Sequence, residues 1–273
     1  MSTIDREMMS RALQLAAKGR YTSSPNPSVG CVIARDDAII GEGYTRPAGG
    51  NHGEIEALQE AGNASGATVY VTLEPCSHQG KTGPCADALI AAGVNRAVVA
   101  CEDPNPAVAG SGIQKLKDAG IEVALGLLED QARESNKGFI KRHEQGTPWV
   151  TVKMAASLDG RTAMASGQSQ WITTPAARAD VQRLRAEQCA IITGIGTQKM
   201  DDPSLTVRIT REDVGVEDEL RQPLRVVVDA KLQMSPEARM FQQPGDTLVA
   251  TLDGAEQREK SAALAAAGAE VIF

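Results

Sequence analysis

No run of about eighteen apolar residues occurs in this chain, so no membrane-spanning helix is expected. The N-terminus, Met1-Ser2-Thr3-Ile4-Asp5, lacks a basic region leading into an apolar core, and a secretory signal is not expected either. No long basic run stands out. With a formal net charge of -7, the chain is poorly suited to a groove built on phosphate neutralisation, so neither nucleic acid nor a membrane is expected as a partner. Cysteine is sparse and odd in number, at 5, which suits a reducing cytoplasm better than a disulfide scaffold. Cys31, Cys101 and Cys189 each adjoin apolar runs and read as buried core thiols. Histidine is rarer still, with 3: His52, His78 and His143. Internal repeats and long low-complexity segments are missing. The 273 residues leave room for roughly two domains.

Against this plain background one constellation carries chemistry. His52-Gly53-Glu54 is followed by Pro75-Cys76 and later by Cys85. One imidazole and two thiols are three of the four ligands that tetrahedral zinc takes. Glu54 sits two residues from the histidine, free to move the proton of a water at the fourth position. His-x-Glu upstream of Pro-Cys…Cys is the signature of zinc-dependent nucleobase deaminases. A purely structural zinc would need a fourth protein ligand, which His78 offers. The insert between the cysteines, Ser77 to Pro84, is longer than the usual Cys-x-x-Cys. It places His78 and Lys81 on the rim of the site, where a substrate phosphate is a natural partner.

The surrounding periodicity predicts a helix over 4–19, strands over 29–35 and 38–44 joined at Asp36-Asp37, and a helix from His52 to Ala61. Strands over 67–73, 97–101 and 122–125 alternate with helices over 85–92 and 110–119, which implies an α/β sandwich. His52 and Glu54 then open one helix, and the cysteines flank the start of the next, where positive helix ends favour thiolate. A break at Gln145-Gly146-Thr147-Pro148 sets domains at 1–146 and 147–273. Past it, strands are expected over 149–155, 190–194, 224–228 and 247–250, with helices over 175–188 and 262–267. Val271-Ile272-Phe273 reads as a final apolar strand, so the second domain is expected to be cut short. Lys153 is a charge inside an apolar strand, which points to a role. Gly194-Ile195-Gly196-Thr197 follows a buried strand and lets backbone approach a phosphate, although the full dinucleotide fingerprint is absent. On residue type alone, Arg185 reads as a solvated helix position and Trp171 as core.

Several motifs together resemble the bifunctional riboflavin-biosynthesis deaminase/reductase family. In the first half they are Pro25-Asn26-Pro27-Ser28-Val29-Gly30, His52-Gly53-Glu54, Thr72-Leu73-Glu74-Pro75-Cys76-Ser77-His78, Gly83-Pro84-Cys85, Asp103-Pro104-Asn105-Pro106 and Asn136-Lys137-Gly138-Phe139. In the second half they are Lys153 to Thr162, Ser169 to Thr173, Arg178 to Arg185, Thr193 to Thr197 and Asp201 to Arg208. The resemblance implies a cytidine-deaminase-like α/β/α sandwich followed by a dihydrofolate-reductase-like α/β domain. It implies zinc on His52, Cys76 and Cys85, Glu54 as proton shuttle, and Asn26 in contact with substrate. The implied reactions are hydrolytic deamination of 2,5-diamino-6-ribosylamino-4(3H)-pyrimidinone 5′-phosphate and reduction of its ribose to a ribityl chain. Ala155, Trp171, Thr197 and Asp201 match positions implied to touch NADPH. Ser169, Arg185, Leu205 and Arg208 match positions implied to hold substrate, with Lys153 beside the ribose. A cytoplasmic homo-oligomer is also implied. Two departures stand out. Gly53 replaces the alanine usual in the family, and no Glu-x-Gly-type loop of the reductase occurs before Phe273. The second departure raises the alternative of a deaminase whose reductase half is inactive.

Overall fold

A computed structural model describes residues 1–78 and 83–273. The chain divides into two compact units, Met1–Val152 and Lys153–Phe273.

The first unit opens with α1 (Thr3–Gly19), whose start is closed by a reciprocal capping box between Ser2 and Asp5. Strands β1 (Gly30–Arg35) and β2 (Ala38–Tyr44) form a hairpin. Its turn residues Asp36 and Asp37 both have positive φ, 48° and 65°, the geometry that matches strand twist in a two-residue turn. There follow α2 (Gly53–Ala61), β3 (Thr68–Val71), α3 (Cys85–Ala91), β4 (Arg96–Val99), α4 (Ser111–Asp118) and β5 (Glu122–Leu125). Two further helices, α5 (Glu129–Ser135) and α6 (Lys137–Gln145), close the unit. The sheet order is β2-β1-β3-β4-β5, with β1 antiparallel to both neighbours and β3, β4 and β5 parallel.

Both faces of this sheet are covered. On one, Val32, Tyr70 and Val98 pack with Met9, Ala12 and Leu15 of α1. On the other, Cys31, Ile33, Val69 and Ala97 pack with Ala57 of α2 and with Ala86 and Leu89 of α3. This is the α/β sandwich that the alternation of elements predicts, in the α/β/α form that the resemblance implies. Helix α2 lies unusually close to β2. A Cβ on Gly43 would stand 2.2 Å from the Gly53 carbonyl and 2.6 Å from the Ala57 nitrogen, so only glycine permits the approach.

The second unit contains α7 (Pro175–Glu187), β6 (Ala190–Gly194), α8 (Ile195–Asp201), α9 (Arg211–Val214), β7 (Leu224–Val228), β8 (Thr247–Ala250), α10 (Ala255–Ala266) and β9 (Ala269–Ile272). Its sheet is parallel throughout, in the order β6-β7-β8-β9. One face carries the core, with Val227 and Val249 fully buried against Met240 and Leu264. The other face is open: Ile192 is 68% exposed and Val228 51%.

Three expectations are corrected here. Residues 149–155 form no strand, and Val150, Val152 and Met154 are exposed. A strand exists only where a neighbour takes its backbone bonds, and among the described residues none does. Cys189 is exposed rather than buried. It leads into β6, an edge strand, where an apolar sequence neighbourhood does not guarantee cover. The last helix begins at Ala255, seven residues before the expected 262, because its first half is charged and its helical character does not show as an apolar stripe. No helix among the described residues is long and apolar enough to cross a membrane.

Candidate metal centre and active site

The first unit brings His52, Cys76 and Cys85 together from three parts of the chain. His52 is the N-cap residue of α2, with no side-chain cap bond to occupy its ring. Cys85 is the first residue of α3, and Cys76 lies in the loop after β3. Their ligand atoms all fall within 4.8 Å of one another. His52 Nδ1 is 3.6 Å from Cys76 Sγ and 3.3 Å from Cys85 Sγ. Zinc bonds of about 2.3 Å to sulfur and about 2.0 Å to nitrogen, held at the tetrahedral angle, put sulfur and nitrogen about 3.5 Å apart. The donor set and its spacing therefore fit zinc. Among the described residues this is the one group of three such side chains that converges, and the exposed His78 is not part of it.

The electrostatics favour a bound cation. The Cys85 backbone N–H donates to Cys76 Sγ at 3.3 Å from the start of α3. Sharing with Cys85, followed by hydrogen bonding to His52, holds the Cys76 thiol well below its usual range, while Cys76 and burial push Cys85 up. Two sulfurs that close hold one proton between them with ease and two charges only with a cation present. Glu54 is buried, 3% exposed, in the first turn of α2. Burial pushes its carboxyl up to about 7, against the opposing pull of His52. Such a carboxyl exchanges a proton readily near neutral pH.

Gly53 is explained by packing. A Cβ there would stand 2.8 Å from the Val29 carbonyl, so glycine eases the seating of the ligand-bearing turn on β1 and β2. The loop carrying Asn26 is tied down locally, with Ser23 Oγ donating to the Asn26 carbonyl at 3.1 Å. It is also tied from a distance. The buried Asn136 amide accepts from Ser28 N–H at 2.8 Å and donates to its carbonyl at 2.9 Å. Lys81 lies outside the described residues.

In the second unit the expected residues fall into three groups. Arg185 is half-buried on α7 and donates to the Thr206 carbonyl at 3.1 Å. Burial and the neighbouring charge of Arg208 lower its affinity for its own proton. Leu205, in the same segment as Thr206 and Arg208, is buried. Thr197 and Asp201 lie exposed on α8, at the carboxyl edge of the parallel sheet where α/β folds bind ligands. Lys153, Ala155, Ser169 and Trp171 lie on the irregular segment before α7, and all but Ala155 are exposed. Trp171 is surface, with the Arg178 guanidinium 4.3 Å from its ring centre, not core. Arg185 is not a solvated position, because its helix packs under the 205–208 segment.

One residue lies inside a quoted motif with no role assigned to it from sequence. Glu74 is 4% exposed and accepts four backbone N–H bonds, from Asp103, Gly110, Gly112 and Ile113. A carboxylate flanked by leucine and proline was its only local signal.

Comparison with known proteins matches two separate stretches of the chain. Residues 2–101 match the family described as the cytidine and deoxycytidylate deaminase zinc-binding region, and residues 148–271 match the RibD C-terminal domain. The riboflavin biosynthesis protein RibD of Escherichia coli K12 is 55% identical over 249 residues, covering 89% of this chain and 68% of the relative. That of Haemophilus influenzae is 53% identical over 246 residues, covering 88% of this chain and 66% of the relative. The chain thus spans about two thirds of the length of these relatives. Among solved structures, Acinetobacter baumannii RibD superposes with a TM-score of 0.88 at 47% identity, covering 98% of this chain and 73% of that one. A Thermotoga maritima diaminohydroxyphosphoribosylaminopyrimidine deaminase/5-amino-6-(5-phosphoribosylamino)uracil reductase gives 0.84 at 34% identity, covering 98% and 80%.

Proposed function

This chain belongs to the RibD family of riboflavin-biosynthesis proteins, and on that premise we propose that its two units carry out successive steps, deamination by residues 1–146 and reduction by residues 147–273. The first unit acts on 2,5-diamino-6-ribosylamino-4(3H)-pyrimidinone 5′-phosphate and releases ammonia. His52, Cys76 and Cys85 hold zinc, which when bound acts as a Lewis acid that makes water nucleophilic at neutral pH. Glu54 takes the proton from that water and delivers it to the departing nitrogen. Its burial beside the three ligands suits it to both transfers. Asn26 contacts the heterocycle, and His78 and Lys81 meet the phosphate. The observation that carries this reading is the convergence of the three donor atoms with a buried carboxyl next to them.

In the second unit NADPH, when bound, would supply the hydride that opens the ribose. Thr197 and Asp201 on α8, with Ala155 and Trp171, hold the cofactor. Arg185 and Arg208 take the substrate phosphate, with Ser169, Leu205 and Lys153 along the sugar. The half-buried Arg185, which feels the charge of Arg208, supports this, since an anion there would offset both positive charges. The sparse, odd-numbered cysteines support residence in a reducing cytoplasm. Assembly with further copies of the chain is part of the proposal and is read by light scattering.

Ammonia release from the diaminopyrimidine phosphate tests the first step. Glu54→Gln should retain one zinc per chain and lose about a thousand-fold in turnover; full turnover in that variant removes the mechanism. NADPH oxidation on adding the deaminated product tests the second step. Ammonia release without it would favour the alternative, a deaminase with an inactive reductase half.

A further inference from the structure

Cys76 differs from the other two ligands in having no regular element of its own. His52 and Cys85 are built into the starts of α2 and α3, whereas Cys76 sits in an irregular stretch. Its carbonyl accepts from Ala86 N–H at 3.1 Å and its sulfur from Cys85 N–H at 3.3 Å, and its chain neighbours are held as well. Glu74 Oε1 accepts from Gly112 N–H at 2.8 Å and Ile113 N–H at 3.1 Å, and its Oε2 accepts from Gly110 N–H at 2.9 Å and Asp103 N–H at 3.1 Å. These four bonds use the full acceptor capacity of a carboxylate. Pro75 presses its carbonyl onto Gly112, where a Cβ would come within 1.9 Å. Ser77 Oγ lies 2.6 Å from Ser111 Oγ. The residues on both sides of Cys76 are thus fastened to the first turn of α4. Proline at 75 fixes one of the few torsions between the Glu74 anchor and the ligand.

We infer that Glu74 is a positioning residue for the metal centre. It anchors the Glu74–Ser77 segment on the start of α4 and so sets where the Cys76 sulfur stands. It touches neither substrate nor reacting atoms. This rests on reading His52, Cys76 and Cys85 as a zinc site. The arrangement also explains why α4 begins at Gly110-Ser111-Gly112. The N-cap glycine has no side chain to cap the helix, and the carboxylate of Glu74 does so from 36 residues away.

Cobalt(II) titration of the metal-free, full chain tests the inference, because sulfur-to-cobalt charge-transfer and ligand-field bands report ligand geometry directly. Zinc affinity by chelator competition is measured in parallel, and folding of the metal-free protein by circular dichroism. Glu74→Gln turns one acceptor oxygen into a donor facing two N–H groups. Its cobalt bands should shift and weaken and its zinc affinity fall about ten- to a hundred-fold, with the metal-free protein folded. Gly112→Ala, which pushes α4 off the Pro75 carbonyl and sets a methyl group 3.2 Å from Glu74 Oε1, should shift the bands in the same way. If Glu74→Gln does not fold, Ser111→Ala carries the test, and altered bands are again expected. Wild-type bands and affinity in a folded variant overturn the inference alone. A wild-type chain that binds no cobalt overturns the metal site and the inference together.

Discussion

The two sheets of this protein differ in how much of their surface the chain covers. The first is packed on both faces, and every central-strand side chain from Cys31 to Ile33 is fully buried. The second is packed on one, leaving Ile192 and Val228 to solvent. Parallel sheets are ordinarily covered on both sides, so the open face is the less usual of the two. The contrast bears on function. The first unit positions three metal donors on helix starts and a clamped loop, each fixed by packing behind it. The second keeps Lys153, Ser169 and Trp171 on an exposed, irregular segment with little behind them.

The comparison can be broken at its tightest point first. Gly43→Ala forces a methyl group against the backbone of α2 and should destabilise the first unit by about 3 kcal/mol, read as a lowered midpoint of the calorimetric transition that zinc raises. Ile33→Ala and Ile192→Ala then measure the same truncation in the two sheets. The buried residue should cost about 3 kcal/mol and the 68% exposed one under about 0.5 kcal/mol. Similar costs at both positions would remove the distinction between a covered and an open face.

Charge gives a smaller and pH-dependent effect. Asp5 caps α1 and pairs with Arg96 at 2.6 Å, while Tyr70 donates to it at 3.0 Å. The hydrogen bonds from Arg96 hold its carboxyl well below the usual range. A depressed native pKa stabilises the fold above the ordinary carboxylate pKa of about 3.9, and that stability is lost as pH falls towards the native value. Asp5→Asn should therefore cost about 2 kcal/mol at pH 7 in the first unit. The gap between variant and wild type should narrow below about pH 4. A gap that is constant from pH 7 to pH 3, followed by urea titration, would mean the pair contributes by shape alone.

The sequence reading and the structure part company along the same line. His52, Glu54, Cys76 and Cys85 were readable because metal chemistry restricts residue type and order. The β1–β2 hairpin was readable because Asp36 and Asp37 form a local turn. The role of Glu74 was not, although it falls within a quoted motif, since its partners lie 29 to 39 residues on and nothing near it announces them. Helices α5 and α6 were missed because they are short, charged and joined at Asn136, so neither carries a long apolar stripe. Exposed Cys189 and the unpaired 149–155 segment were misread for one shared reason. Apolar runs imply cover, and cover is a property of what packs from elsewhere in the chain.

Zinc K-edge X-ray absorption on the zinc-loaded protein tests the central claim most directly. The account predicts two sulfurs at about 2.3 Å and one imidazole nitrogen at about 2.0 Å for each zinc. A third sulfur, a second imidazole, or fewer than two sulfurs would contradict it.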